Sequence, residues 1–176
     1  IQPSSHPAIQ PSSHPAMMVH GVQAAVPRLD CRNRPEADFE RQDTMIDERT
    51  WSEIEGALLS RDVSVAVMAC HRLRKAACIQ DGPHLLGLLK HPDFFVREAA
   101  AWPLAELMGP QVLPELLVAY QLGFDEGLDN DGFTAALLEI PALHSETRTA
   151  LADFIPRADG SIKGHATWLM EFCKEP

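Results

Sequence analysis

The residues best suited to bind a cation or a basic protein are the acidic residues of one short stretch, "GFDEGLDNDG", from Gly123 to Gly132. Its acidic side chains are Asp125, Glu126, Asp129 and Asp131. Carboxylates at this density could ligate calcium, cap a helix in solvent, or dock the basic surface of another protein. If Gly132 is aligned with the sixth position of an EF-hand loop, Gly127 and Leu138 fall where calcium ligands are needed. The alignment disfavours calcium and leaves the other two interpretations open.

The sequence offers no clear catalytic constellation. Histidines outside the N-terminal region fall in separate predicted elements, and these are His71, His84, His91, His144 and His165. The four cysteines form no C-x-x-C pair and have no histidine at zinc-finger spacing. We therefore expect no catalytic residue, no metal and no cofactor, with free thiols in a reducing cytoplasm.

The distribution of charge favours a basic partner. The formal net charge is −10, and residues 101 to 150 contain eight acidic residues and one basic residue. An acidic field repels nucleic-acid phosphates and anionic lipids, whereas it attracts a basic protein surface. No apolar run reaches the roughly 18 residues that a membrane-spanning helix needs. We expect a protein partner, without nucleic acid or membrane.

A repeated pattern predicts the elements that carry these side chains. The reference set is Asp93, Val96, Ala100, Leu104 and Leu107. Similar sets occur 31 residues earlier and 36 and 66 residues later, and they begin at Asp62, Asp129 and Asp159. Spacings of three and four residues place the apolar members on one stripe of a helix, with the aspartate as its N-cap.

A second amphipathic helix precedes each of these stripes. The predicted ranges are 51–60, 83–90, 110–122 and 145–155. Gly82-Pro83 and Gly109-Pro110 mark boundaries, because glycine ends helices and proline suits a first turn. Thr50 and Glu53 have the spacing of a capping box for the first helix. Each repeat is therefore predicted to be a helical hairpin.

The stretch "PDFFVREAAAWPLAELMG" resembles the second helix of a HEAT repeat, of the short bacterial HEAT-like type, and the resemblance covers about residues 50–174. It implies an all-α fold, a right-handed α-solenoid of about four hairpins over residues 45–176 whose second helices line a concave face. In that family, acidic and basic residues of successive repeats form a polar ladder. Arg97 and Lys163 keep the basic position, whereas Ala66 and Phe133 replace it.

The N-terminal region differs from the rest in composition. "IQPSSHPA" occurs twice in succession, and the region is rich in proline, serine and histidine. Such a segment cannot bury enough apolar surface to offset its ordering entropy. We expect residues 1–44 to be a disordered tail, and we hypothesise that the natural protein begins near Met45.

These observations predict a noncatalytic scaffold for protein–protein interaction. Its candidate contacts are the four acidic loop residues together with Arg72, Glu98 and Trp102 on second helices. An adaptor or a toxin-neutralising protein would suit such an acidic scaffold. The alternative is a lyase-type or accessory enzyme that holds a small ligand in the concave groove. The apolar C-terminal "WLMEFC" could also allow a homodimer through terminal repeats.

Overall fold

A computed structural model describes residues 44–174, and all regular structure in that part is helical. The α-helices are α1 (Glu48–Leu58), α2 (Val63–Ala76), α3 (Gly82–Leu88), α4 (Phe94–Leu107), α5 (Leu113–Asp125), α6 (Asp131–Leu143), α7 (Thr147–Phe154) and α8 (Gly160–Met170). Short 3-10 turns lie at Ile79–Asp81, Gly109–Val112 and Ile155–Arg157. The predicted all-α class is confirmed for these residues. The predictions for the tail lie outside the described residues, apart from Thr44.

The capping box predicted for α1 is wrong. Asp47 is the N-cap, and its Oδ1 accepts from the Thr50 backbone N–H at 2.9 Å. The Thr50 hydroxyl instead donates to Asp47 Oδ2 at 2.8 Å. Aspartate caps a helix more strongly than threonine does, so the helix begins earlier than Trp51.

Two of the predicted aspartate caps are confirmed. Asp62 accepts from the backbone N–H of Ser64 at 2.9 Å, and Asp93 accepts from that of Val96 at 3.2 Å. Asp159 occupies the N-cap position of α8 but makes no side-chain cap bond. Asp129 does not cap α6, because Asn130 occupies that position.

The boundary predicted for α5 is also wrong. Gly109 has φ 46° and begins the 3-10 turn that ends at Val112, so the α-helix starts at Leu113. At the other end α5 continues to Asp125. The connection before α6 is therefore shorter than the predicted loop, and Asp125 belongs to the helix.

The core forms where the second helices meet. Ala100 and Leu104 of α4 and Ile140 of α6 are fully buried. Helices α2, α4 and α6 pack in succession, with α4 against both of the others, whereas α8 packs mainly against α5 and α7. Two members of the predicted apolar stripes, Val65 and Leu143, are exposed. None of the described helices is long and apolar enough to cross a membrane.

Candidate functional site

A buried arginine anchors the acidic stretch to α4. Arg97 is fully buried, and its Nη1 donates to the carbonyl oxygens of His91 at 3.0 Å and Pro92 at 2.8 Å. Its Nη2 forms an ion pair with the Glu126 carboxylate. Arg97 Nε has no hydrogen-bond partner within the described residues. Glu126, predicted to face a partner, is thus paired within the chain, and Arg97 links α4 to the C-terminal end of α5 through it.

The turn between α5 and α6 is held by its own backbone and by Asn130. Gly127 has φ 71°, a conformation that favours glycine, and Leu128 N–H donates to the Gly123 carbonyl at 2.9 Å. Asn130 is buried, and its Nδ2 donates to the Tyr120 carbonyl at 3.4 Å. The loop is therefore fixed from both ends by these bonds and by Arg97.

Three carboxylates meet where α4 passes the start of α6. A Cβ added to Gly132 would lie 2.4 Å from Glu98 Oε1, so this carboxylate lies directly against the first turn of α6. Burial raises the pKa of Glu98 most, the amide of Phe133 opposes the rise, and the charges of Asp129 and Asp131 add to it.

We call Glu98, Asp129 and Asp131 the acidic cluster. None of the three forms an ion pair within the described part of the chain. Asp129 Oδ1 accepts from the backbone N–H of Asp131 at 3.0 Å, which keeps both side chains at the helix start. The cluster gathers carboxylates at the N-terminus of α6, where the amides of Gly132 and Phe133 face the half-buried Glu98 and where Asp129 and Asp131 are exposed.

Asp125 belongs to a different arrangement, which joins α5 to α8. Its Oδ1 accepts from Gln121 Nε2 at 2.7 Å, so Gln121 Oε1 is left to accept from His165 Nε2 at 2.7 Å. Burial lowers the pKa of His165, whose ring stacks on Phe124 with centroids 5.4 Å apart. Burial thus disfavours the charged form of His165, and Asp125 orients Gln121 so that its Oε1 faces His165 Nε2.

The two candidate contacts at the other end of the second helices already have partners. Arg72 Nη2 pairs with Glu53 at 3.1 Å on neighbouring α1. The guanidinium of Arg74 lies 4.0 Å from the centroid of the Trp102 ring and pairs with Glu106. Arg72 and Trp102 therefore contact other residues, and of the predicted set the structure places Glu98, Asp129 and Asp131 together at the start of α6.

Arg74 is the residue that sequence reasoning missed. A displacement of 31 residues aligns it with Ala105, which is buried in α4. That alignment places Arg74 on the side of α2 that faces the next hairpin. The repeat does not separate the two arginines, because Arg72 aligns with Pro103, which is also buried in α4.

Comparisons with known proteins assign this chain to no family. No family model, curated protein or solved structure matches this chain. The functional argument therefore rests on the residues and their contacts.

The remaining side chains that could do chemistry are dispersed. No group of three or more histidine, cysteine or acidic residues in residues 44–174 is arranged to hold a metal ion. Cys70, Cys78 and Cys173 are free thiols. Burial raises the pKa of the Cys70 thiol, and the charge of Glu98 adds to the rise, so thiolate reactivity is suppressed there.

Proposed function

We propose that this protein is a noncatalytic protein-binding module whose acidic surface docks a basic surface of a partner. The acidic surface consists of the acidic cluster and the exposed part of residues 123–132. The observation that carries the proposal is the position of Glu98 against the first turn of α6, where Asp129 and Asp131 also lie, with none of the three in an ion pair within the described residues. A lysine or arginine from a partner would supply the cation for such a pair.

The fixed shape of the loop supports the same proposal. Arg97 and Asn130 hold the segment that carries the cluster, so a partner would not have to order it on binding. The excess of acidic residues in 101–150 extends the negative electrostatic field around the acidic cluster, and this field would accelerate the association with a basic protein.

We further propose that the described helices form a HEAT-like α-solenoid. The succession of α2, α4 and α6 supports this arrangement, and so does the contact from Arg97 to the next hairpin. The packing of α8 against α5 and α7 makes the last hairpin different from the first three. A solenoid would suit an adaptor or a toxin-neutralising protein, because it presents an extended surface.

A cytoplasmic location is part of the proposal. The free thiols of Cys70, Cys78 and Cys173 suit a reducing compartment. The alternative of a lyase-type or accessory enzyme with a ligand in the concave groove remains a prediction, which bound small molecules in the purified protein would favour.

The test is affinity capture with the full chain from lysate of the source organism. The first variant combines Glu98→Gln, Asp129→Asn and Asp131→Asn, and it leaves the Arg97–Glu126 pair intact. The matched control combines Glu115→Gln, Glu146→Gln and Asp153→Asn, which removes the same charge from exposed positions elsewhere.

We expect a basic protein to be retained by the native chain and by the control, and to be lost with the cluster variant. Retention should also weaken at higher salt, because exposed charges are screened. Equal retention by both variants would contradict the proposed site. Recovery of the bait alone, from a chain that also does not bind a second copy of itself, would contradict the proposed function.

A further inference from the structure

One face of α2 is apolar and exposed. Val63, Val65 and Met68 have 74%, 43% and 67% of their surface exposed. The residues displaced by 31 from the last two are Val96 and Ala99 in α4, which are only 2% and 1% exposed. Helix α4 packs against α2 and α6, whereas α2 packs against α1 and α4. The exposed face of α2 is therefore shaped like a contact surface but is not covered by a described helix.

This face forms a groove of about 660 Å³ that we call the α2 groove. Its floor is apolar, with Ile54, Ala57, Val65 and Met68. Its polar lining includes His71, Arg72, which is already paired with Glu53 of α1 at 3.1 Å, and Lys75, which forms no ion pair within the described residues. Helix α2 contains no acidic residue. The α2 groove therefore fits an apolar segment that is flanked by carboxylates.

The chain itself displays such a segment on its acidic surface. Phe124 and Leu128 are 48% and 41% exposed, and each is followed by an aspartate. One side of the Phe124 ring stacks on His165, and Asp125 accepts from Gln121, so Leu128 and Asp129 are the residues of this turn without such contacts to another helix. Apolar side chains at these positions add contact area that carboxylates alone do not provide. The Arg97–Glu126 pair fixes this turn, so its insertion into a groove costs little conformational entropy.

We propose that copies of this chain associate head to tail, with the turn around Phe124 and Leu128 of one copy in the α2 groove of the next. The inference rests on the proposed function, because it names the basic partner of the acidic surface as a second copy. Two different surfaces meet, so the interface is heterologous and builds open chains or a ring. A loop in a groove is a small interface, and association is expected at protein concentrations on the order of 100 µM.

The experiment measures the mass of the full chain by sedimentation velocity and light scattering over a concentration series. Met68→Asp blocks the groove, and Leu128→Lys blocks the turn by placing a cation against the basic lining. The matched controls are Val118→Asp and Leu143→Lys, which place the same charges at exposed apolar positions elsewhere, each 54% exposed.

We expect the native chain and both controls to gain mass with concentration, and each blocked variant alone to remain monomeric. An equimolar mixture of the two blocked variants should form a heterodimer and stop there, because one intact groove and one intact turn remain. Association of the native chain should be about tenfold weaker at 0.5 M salt than at 0.1 M, since a few exposed ion pairs are screened.

Several results would overturn the inference. If Met68→Asp abolishes association and Leu128→Lys does not, two grooves face each other in a symmetric dimer. A native chain that stays monomeric throughout leaves the groove to another occupant, such as residues 1–43 or a foreign protein. If the monomeric chain still captures a basic protein through the acidic cluster, the proposed function stands and this inference alone fails.

Discussion

Replacing Arg97 with methionine should lower the free energy of unfolding by about 3 kcal/mol. Methionine keeps most of the volume, so the loss comes from the polar partners and not from a cavity. Removing one member of a buried ion pair typically costs about 3–5 kcal/mol. The side chain of Glu126 is 35% exposed and can regain water, which reduces the loss from the pair to about 1 kcal/mol, as for a solvent-screened pair. The carbonyl groups of His91 and Pro92 lose donors as well, each worth about 1 kcal/mol.

The assay is urea unfolding followed by circular dichroism, analysed as the free energy of unfolding. Glu126→Gln is the comparison variant, and it should also cost about 3 kcal/mol, because it leaves the buried Arg97 guanidinium without a counter-charge even though the amide oxygen can still accept one hydrogen bond. The double variant should cost less than the sum of the two single variants, since both act on one pair. A loss below about 1 kcal/mol for Arg97→Met would refute the structural role assigned to this arginine. A Glu126→Gln variant as stable as the native chain would refute the reasoning that the buried guanidinium needs a counter-charge.

Further predictions concern the same region and use the same unfolding assay. Because the pKa of Glu98 is raised in the folded protein, its contribution to stability is present in acid and is lost as the pH rises from 4.5 through the raised pKa. Glu98→Gln should remove this loss and stabilise the protein near neutral pH. The lowered pKa of His165 gives the opposite pH dependence of stability. Stability should fall as pH falls from 6.5 through the lowered value, and His165→Gln should flatten this dependence. Gly123→Ala should cost about 1–3 kcal/mol, because the new Cβ would lie 2.1 Å from Asn130 Oδ1, and an unchanged midpoint would contradict this close approach.

The repeat pattern predicted the positions of the second helices well, because two local signals coincide there. An aspartate precedes each apolar stripe, and the spacing of three and four residues fits one turn of helix after another. Ala100, Ala136 and Ala166 all lie in the core, as small residues on a contact stripe should. The first helices were placed less well, since Gly109-Pro110 began a 3-10 turn before α5.

The candidate site was predicted only in part. The acidic stretch was visible as a run of residue types, but the engagement of Glu126 with Arg97 was not, because 29 positions separate them. The same holds for Asp125, whose contact with α8 passes through Gln121 to His165. Side chains that are close in sequence were therefore assigned to one surface although they serve three different contacts.

The sequence by itself determined that this part of the chain is helical, where its second helices begin, and that negative charge is concentrated in residues 101–150. Periodicity, capping and charge are local properties, and so they can be read along the chain. The tertiary structure decided which carboxylates remain available, because burial and pairing depend on the helix packed opposite. In the folded chain, Glu98 lies beside the helix start that carries Asp129 and Asp131, and Glu126 is paired with Arg97. The outer face of α2 has no described neighbour.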